Sequence, residues 1–375
     1  MMITWARRIG AMLALMAAAS ALAEDINVAQ VGPFTGLPSP DAHEVRDGAR
    51  AYFERVNKDG GIRGRRITLQ TLDDGFTGDG FATRFKEAMT KRPVALLTPI
   101  GSAALSKTLK EGLLDNADIV ILNAIPGADA FRRPGHPKLF HVRAGDREQL
   151  ERILVHCQSL GVARVHVLHQ DLPIGEAGLA VVQAYAKAKG GITIESTVSK
   201  HAEDALGAAA KEVTARSPQA VIYIGTPKFM ADGIAQTRKA GLNAWAFALS
   251  YLPVPLAVKV IGPEQARGVG ISQTFPNPNG NRLPLQADFQ ATMAAAKIAG
   301  PVYSPFHLEG YISARVLVAA LRRIEGEPTP TSLARSLRDM GELDLGGFRV
   351  NFSKSNIGSG WTDIGVISES GKLLY

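Results

Sequence analysis

Ile26-Asn27-Val28-Ala29-Gln30-Val31-Gly32-Pro33-Phe34-Thr35-Gly36 decides the fold: a mostly apolar, β-branched run breaks into a loop carrying glycine and proline. The run reads as a buried strand, and the loop as the connection that leads out of the first strand of an α/β domain. Just beyond it, Val45, Ala49, Tyr52, Phe53 and Val56 recur at helical spacing, which predicts a helix over 45–57 that stops at Gly60-Gly61. Strand, loop, helix and glycine stop form one βα unit, the repeating element of parallel α/β layers.

Working upstream, Arg7 and Arg8 precede an apolar run over 9–22 and the small-residue signature Ala21-Leu22-Ala23. This is the pattern of a cleavable export signal covering 1–23. The run is too short and too rich in alanine for a membrane span, which takes about 20 strongly apolar residues. The arginine pair lacks the neighbours of a twin-arginine motif. The single cysteine, Cys157, lies far from the cleavage site and has no partner for an intramolecular disulfide, so lipid anchoring there and disulfide stapling are both excluded. Stability must come from burial, and 375 residues at 46% hydrophobic content suffice for two domain cores.

Working downstream, the βα pattern repeats in two series. The first continues through extended runs over 66–73, 94–98 and 119–122 and helical patterns over 78–90 and 103–116. The second begins after Phe140-His141-Val142-Arg143, with strands over 164–169, 192–198, 220–224 and 244–249. Its helices are expected over 147–160, 178–189, 205–216 and 229–240. An extended crossover over 268–273, two helices over 285–299 and 308–324, and a strand-like and hairpin-like tail over 345–375 complete the chain. Two α/β units with late elements left over suggest two lobes exchanged by several chain crossings.

The formal net charge is +7, and its basic residues are scattered. The clusters Arg63-Gly64-Arg65-Arg66, Arg132-Arg133 and Arg322-Arg323 have no interleaved aromatics, which excludes a nucleic-acid platform. HExxH, GxSxG, GxxxxGK[ST] and CxxC motifs are all missing, and the 32–36 loop lacks GxGxxG spacing. His166 and His169, three apart on a predicted strand, point to opposite faces and cannot share a metal. Asp73-Asp74 and His136 with His141 are the residual pairs for acid–base chemistry; capping and ordinary loop roles compete with it.

In open α/β sheets ligands bind beyond the carboxyl ends of the strands. There the chain places the 32–36 loop, Pro99-Ile100-Gly101-Ser102-Ala103-Ala104, and Asn123-Ala124-Ile125-Pro126-Gly127-Ala128-Asp129. The second series offers 171–176, Gly225-Thr226-Pro227 and Ser250-Tyr251. Backbone amides at a helix start beside the Ser102 hydroxyl suit a carboxylate. Ser102 equally suits a helix cap, Asp129 a cap or ion-pair partner, and Tyr251 simple packing. Site-like loops without a catalytic constellation point to a binder, not an enzyme.

Several landmarks fall in a known order: Val31-Gly32-Pro33-Phe34-Thr35-Gly36, Gly48-Ala49-Arg50, Asn57-Lys58-Asp59-Gly60-Gly61-Ile62-Arg63-Gly64-Arg65 and Leu72-Asp73-Asp74-Gly75. Gly175-Glu176-Ala177-Gly178, Gly268-Val269-Gly270 and Leu308-Glu309-Gly310-Tyr311 follow. Together they resemble the type I periplasmic solute-binding proteins of ABC importers, in the leucine/isoleucine/valine-binding branch, over essentially all of the chain from Glu24. The resemblance implies an α/β fold of two doubly wound parallel-sheet lobes joined by three crossovers. Lobe one would hold 24–143 and 275–346, and lobe two 144–274 and 347–375. It further implies a soluble periplasmic monomer without cofactor or metal, which closes on a small solute and delivers it to an inner-membrane permease.

On the same resemblance, Ser102 and Ala103 match the place that holds an α-carboxylate, and Ala128 and Asp129 the third-loop contacts. Asp129 stands where a threonine is usual, with capacity to accept from an ammonium. Ile174 replaces a tyrosine before the Gly-Glu-x-Gly segment, and Thr226, Ser250 and Tyr251 complete the set. The residues Ser250-Tyr251 occupy the neighbourhood of the acidic residue that pairs with an ammonium in the amino-acid binders. The expected ligand is a branched-chain or other amino acid, with an aromatic or aliphatic organic acid as the alternative. A sensory receptor module is the alternative role.

Overall fold

A computed structural model describes residues 24–36, 41–298, 300 and 302–375; the expected leader, 1–23, lies outside the described residues. Strands β1 (Ile26–Gly32), β2 (Ile67–Asp73), β3 (Ala95–Leu97), β4 (Val120–Leu122) and β5 (Leu139–Phe140) form one sheet in the order β2-β1-β3-β4-β5. Every pairing in it is parallel. A second sheet takes β6 (Arg164–Gln170), β7 (Thr193–Ser199), β8 (Ala220–Ile224), β9 (Trp245–Ala248) and β10 (Gly270–Gln273). After the hairpin β11 (Glu342–Asp344) and β12 (Arg349–Asn351), β13 (Asp363–Ile367) and β14 (Leu373–Leu374) complete it in the order β14-β13-β10-β9-β8-β6-β7. In this sheet only the β10–β13 and β13–β14 pairings are antiparallel, so β13 alone runs against the other strands.

The strand patterns explain the layers. In β3 and β4, Ala95, Leu97, Val120 and Leu122 join one hydrophobic cluster, while Leu96 and Ile121 join another on the opposite face. Period-two alternation with both faces apolar is what a sheet covered by helices on both sides requires. A third cluster is built on β6, β8 and β9 of lobe two and takes in a few side chains from lobe one. Among the described residues, no helix is long and apolar enough to cross a membrane.

Two landmark glycines have a packing reason. A Cβ on Gly48, in the helix Asp41–Lys58, would lie 1.9 Å from the carbonyl oxygen of His307; one on Gly310, in the helix Pro305–Arg323, would lie 1.9 Å from that of Val45. The two helices thus cross backbone to backbone, each through the other's glycine, and any side chain would force them apart.

The chain crosses between sheets after β5, after β10 and after β12. The expected division at 346/347 is corrected by the β11/β12 hairpin, which straddles it. Phe348, Val350 and Phe352 lie in the lobe-one core, so the third crossing comes only after Phe352. That crossing runs beside the first: the His141 amide donates to Asn356 and its carbonyl accepts from Gly358, both at 2.8 Å.

Other differences are local. The helix expected over 103–116 is split into Ser102–Lys110 and Leu113–Asn116 because Gly112 adopts left-handed φ of 63°. The helix expected from 178 begins at Pro173, since proline suits a first turn, and this moves Ile174 from a loop into a helix. Helices Val254–Ile261 and Pro330–Asp339 fall in stretches to which the sequence reading assigns no element; each starts just after or at a proline.

Candidate ligand-binding cleft

Each sheet has one topological switch point, between β1 and β3 in lobe one and between β6 and β8 in lobe two. These are the crevices where open α/β sheets take ligands. In lobe one, Asp73 at the end of β2 ties down the first loop, accepting from the Thr35 amide at 3.0 Å and its hydroxyl at 2.5 Å. These bonds hold the Asp73 carboxyl below its ordinary range against its desolvation. Ser102 is the first residue of its helix, whose cap is Gly101 at φ 103°. The hydroxyl of Ser102 makes no capping bond and has no other partner among the described residues. The first amides of that helix have no carbonyl one turn back to bond, which leaves their donors at the carboxyl edge of β3 beside the hydroxyl. Ala103, next to it, is exposed.

In lobe two, the helix Pro173–Lys189 follows β6 and carries Ile174, half-buried, in its first turn. Thr226 caps the helix Pro227–Lys239 through its backbone only, and its hydroxyl also has no partner among the described residues. The Thr226 amide is held by Gln170 Oε1 at 2.9 Å, which locks the end of β8 to the end of β6. Gly225 permits this approach: a Cβ there would lie 2.8 Å from that same oxygen.

The remaining expected contacts lie at the hinge. Arg143, fully buried, is the centre of a polar cluster that joins the lobes. One terminal nitrogen reaches both oxygens of buried Glu309 at 3.3 and 3.2 Å, and the other donates to Ser250 Oγ at 2.5 Å. The Asn123 amide group donates to Glu309 and Ser313 and accepts from the amides of Val142 and Arg143. The Tyr251 ring lies under the Arg143 guanidinium at 5.0 Å, and its hydroxyl donates to buried Asp146. Gln149 Oε1 accepts from the Ser250 amide and Ser272 hydroxyl. Ser250 and Tyr251 are therefore engaged by the interlobe cluster. Burial pushes the Glu309 and Asp146 carboxyls up, opposed by the arginines and hydrogen bonds around them.

Ala128 and Asp129 open a single 3-10 turn, Asp129–Phe131. The Asp129 carboxylate is taken from both sides, by Arg133 at 2.5 Å and by Arg147 of lobe two at 2.5 Å. Arg133 also reaches Glu148 of lobe two at 2.5 Å. The role of ion-pair partner, weighed for Asp129 beside ligand contact, is the one this structure displays.

Apolar residues complete the cleft. Ala42, Ile100 and Ile125 of lobe one belong to the same hydrophobic cluster as Leu249, Tyr251 and Leu252 of lobe two, with Phe34 and Ile174 packed against it. The residual acid–base pairs do not converge: Asp74 turns inward to the Phe76 amide while Asp73 holds Thr35, and His136 bonds Asp115 while His141 is buried beside the Phe131 carbonyl. Among the described residues, no group of His, Cys, Asp and Glu could hold a metal ion.

Arg143, Glu309, Asn123, Asp146 and Gln170 were missed as site-building residues. A signal existed for Glu309, a carboxylate within the apolar run of the helix Pro305–Arg323, and for Arg143, a charge ending a buried strand. Both need a buried counter-charge.

This architecture has close counterparts. A solved extracellular ligand-binding receptor from Verminephrobacter eiseniae is 46% identical, with a TM-score of 0.90 over 94% of this chain and 100% of that one. A substrate-binding periplasmic protein from Ralstonia solanacearum is 28% identical, with a TM-score of 0.85 over 93% and 99%. The Leu/Ile/Val-binding protein homolog 3 of Brucella melitensis biotype 1 is 25% identical over 329 residues, 86% of this chain and 85% of that protein. The profile of the periplasmic binding protein family matches residues 25–363, and the chain belongs to that family.

Proposed function

We propose that this protein is the periplasmic substrate-binding component of an ABC importer, which captures a small solute bearing a carboxylate and an apolar body and presents it to a membrane permease. The carrying observation is the pair of unengaged hydroxyls, Ser102 and Thr226, each at a helix start on its lobe's switch point, beside apolar walls supplied by both lobes. Helix starts favour anionic ligands, and charge-assisted hydrogen bonds contribute about 1.5–3 kcal/mol each. Export through the leader and action as a monomer belong to the same reading.

Within that class, an organic acid fits better than an amino acid. Asp129, the residue in position to accept from an ammonium, already serves Arg133 and Arg147. A leucine-type ligand would have to draw it away from both. Calorimetric titration of the chain from Glu24 with benzoate, 4-methylpentanoate and L-leucine tests this. We expect binding of at least one of the amine-free acids and weak or no binding of leucine. Leucine binding more tightly than both acids overturns the organic-acid preference, and silence toward all three overturns the carboxylate reading.

A further inference from the structure

We propose that Phe76 determines specificity in this cleft: its ring forms the wall against which the solute's apolar body stacks, and that body is a flat, aromatic one. This rests on the carboxylate reading of the Ser102 site and extends it to the part of the ligand beside the carboxylate.

Phe76 stands in the loop after β2, 37% exposed, at a φ of 61° that bulky residues rarely adopt. The loop is built to impose that conformation. The Phe76 amide donates to Asp74 Oδ1 at 2.8 Å, and the Asp74 side chain is buried. Asp73, one residue earlier, accepts from the Gly75 amide at 3.1 Å while gripping Thr35. The Gly75 carbonyl closes on the first loop, within 2.6 Å of where a Cβ on Gly36 would stand. The β2 loop is thereby fixed to the β1 loop on one side.

On the other side it meets the β3 loop. A Cβ on Gly101 would lie 3.3 and 3.6 Å from the edge of the Phe76 ring, so the missing side chain at Gly101 is what lets the ring lie beside Ser102. An aromatic ring is thus held in a costly backbone conformation with a large part of its surface uncovered, one residue away from an unengaged hydroxyl and free helix amides. Packing within lobe one does not explain it, because Phe76 belongs to none of the buried clusters. A surface ring needs no such scaffold, whereas a ring that receives a ligand does. In lobe two, Leu172, which caps the helix Pro173–Lys189 after β6, is likewise exposed, at 40%, and gives the carboxyl edge of that lobe an apolar side chain as well. A planar group stacked on the Phe76 ring, with its carboxylate on Ser102, matches this arrangement.

The test compares wild type with Phe76→Leu and with Phe76→Asn, a residue that tolerates left-handed backbone, by calorimetric titration with benzoate and 4-methylpentanoate. Both variants are expected to lose about tenfold or more for benzoate, and Phe76→Leu less than about threefold for 4-methylpentanoate, because stacking on a ring is worth more to a planar partner. Benzoate affinity unchanged in both variants overturns the proposal while leaving the carboxylate site standing. So does a wild type that binds 4-methylpentanoate but not benzoate. If wild type binds neither acid, Phe76 loses this role, and the carboxylate reading fails with it only where L-leucine is silent too.

Discussion

The two ends of the interlobe boundary are built on opposite principles. At the hinge, Arg143, Glu309, Asn123, Tyr251 and Asp146 are buried and, with half-buried Ser250, bond one another across the lobes. At the cleft, Ser102 and Thr226 keep their hydroxyls unspent, and the surfaces around them are apolar. A buried charge must be matched within the protein, so the hinge residues are committed to structure. A group left unmatched at a helix start is available to a ligand. Substitutions at the hinge should therefore change stability first, and substitutions at the cleft should change affinity first.

The largest effect is expected at Glu309. Removing it in Glu309→Ala leaves the Arg143 guanidinium buried beside an emptied partner, which typically costs about 3–5 kcal/mol. Replacing both members, Arg143→Met with Glu309→Leu, should recover much of that loss, since the desolvation of two charges disappears with them. Urea denaturation of the three proteins measures this. A single variant as stable as wild type would mean that the hinge cluster is not what joins the lobes.

A smaller, pH-dependent effect is expected at the cleft's edge. Burial pushes the Asp74 carboxyl from its ordinary 3.8 up to about 6, because the carboxylate is desolvated and receives only the Phe76 amide. The folded state therefore binds the proton more tightly than the unfolded chain. Its stabilising contribution is complete below pH 3.8 and is lost as pH rises to about 6. His307 acts in the opposite direction: burial lowers it from 6.5 to about 4, so its contribution is complete above pH 6.5 and is lost as pH falls toward 4. Asp74→Asn removes the first dependence alone. We expect it to stabilise the protein by about 1–2 kcal/mol at pH 7 and to change little near pH 4, read from thermal melts across that range. A variant that is no more stable at neutral pH would show that Asp74 is already neutralised by a partner.

How much of this was legible follows from how each feature is encoded. The lobes could be read because the run at 26–31 and the helical spacing at 45–56 record burial locally, residue by residue. Ser102 and Thr226 could be placed because a loop after a strand marks the carboxyl edge of a parallel sheet. Ser250 and Tyr251 were placed on the correct edge, yet their engagement depends on Arg143 and Asp146, more than a hundred positions away in sequence. Asp129 is the same case: its neighbours Arg133 and Arg147 were in view, but only the fold brings Arg147 across from lobe two. The boundary at 346/347 failed because Phe348, Val350 and Phe352 alternate in a way that suits either sheet. Only pairing with β11 assigns them to lobe one.

The smallest effect on stability, and the sharpest contrast with Glu309, is expected at Ser102. The hydroxyl caps nothing, so Ser102→Ala breaks no bond among the described residues, and the ligand-free stability should stay within about 0.5 kcal/mol of wild type. Affinity for whichever carboxylate binds should fall about tenfold, the worth of one hydrogen bond to a charged group. Thr226→Val, which keeps the shape and removes the hydroxyl, separates the two lobes' shares. Loss at Ser102 alone places the carboxylate on lobe one, and comparable loss at both places it between the helix starts. A destabilised Ser102→Ala with unchanged affinity would reverse the contrast, making the cleft serine structural and leaving recognition to backbone amides.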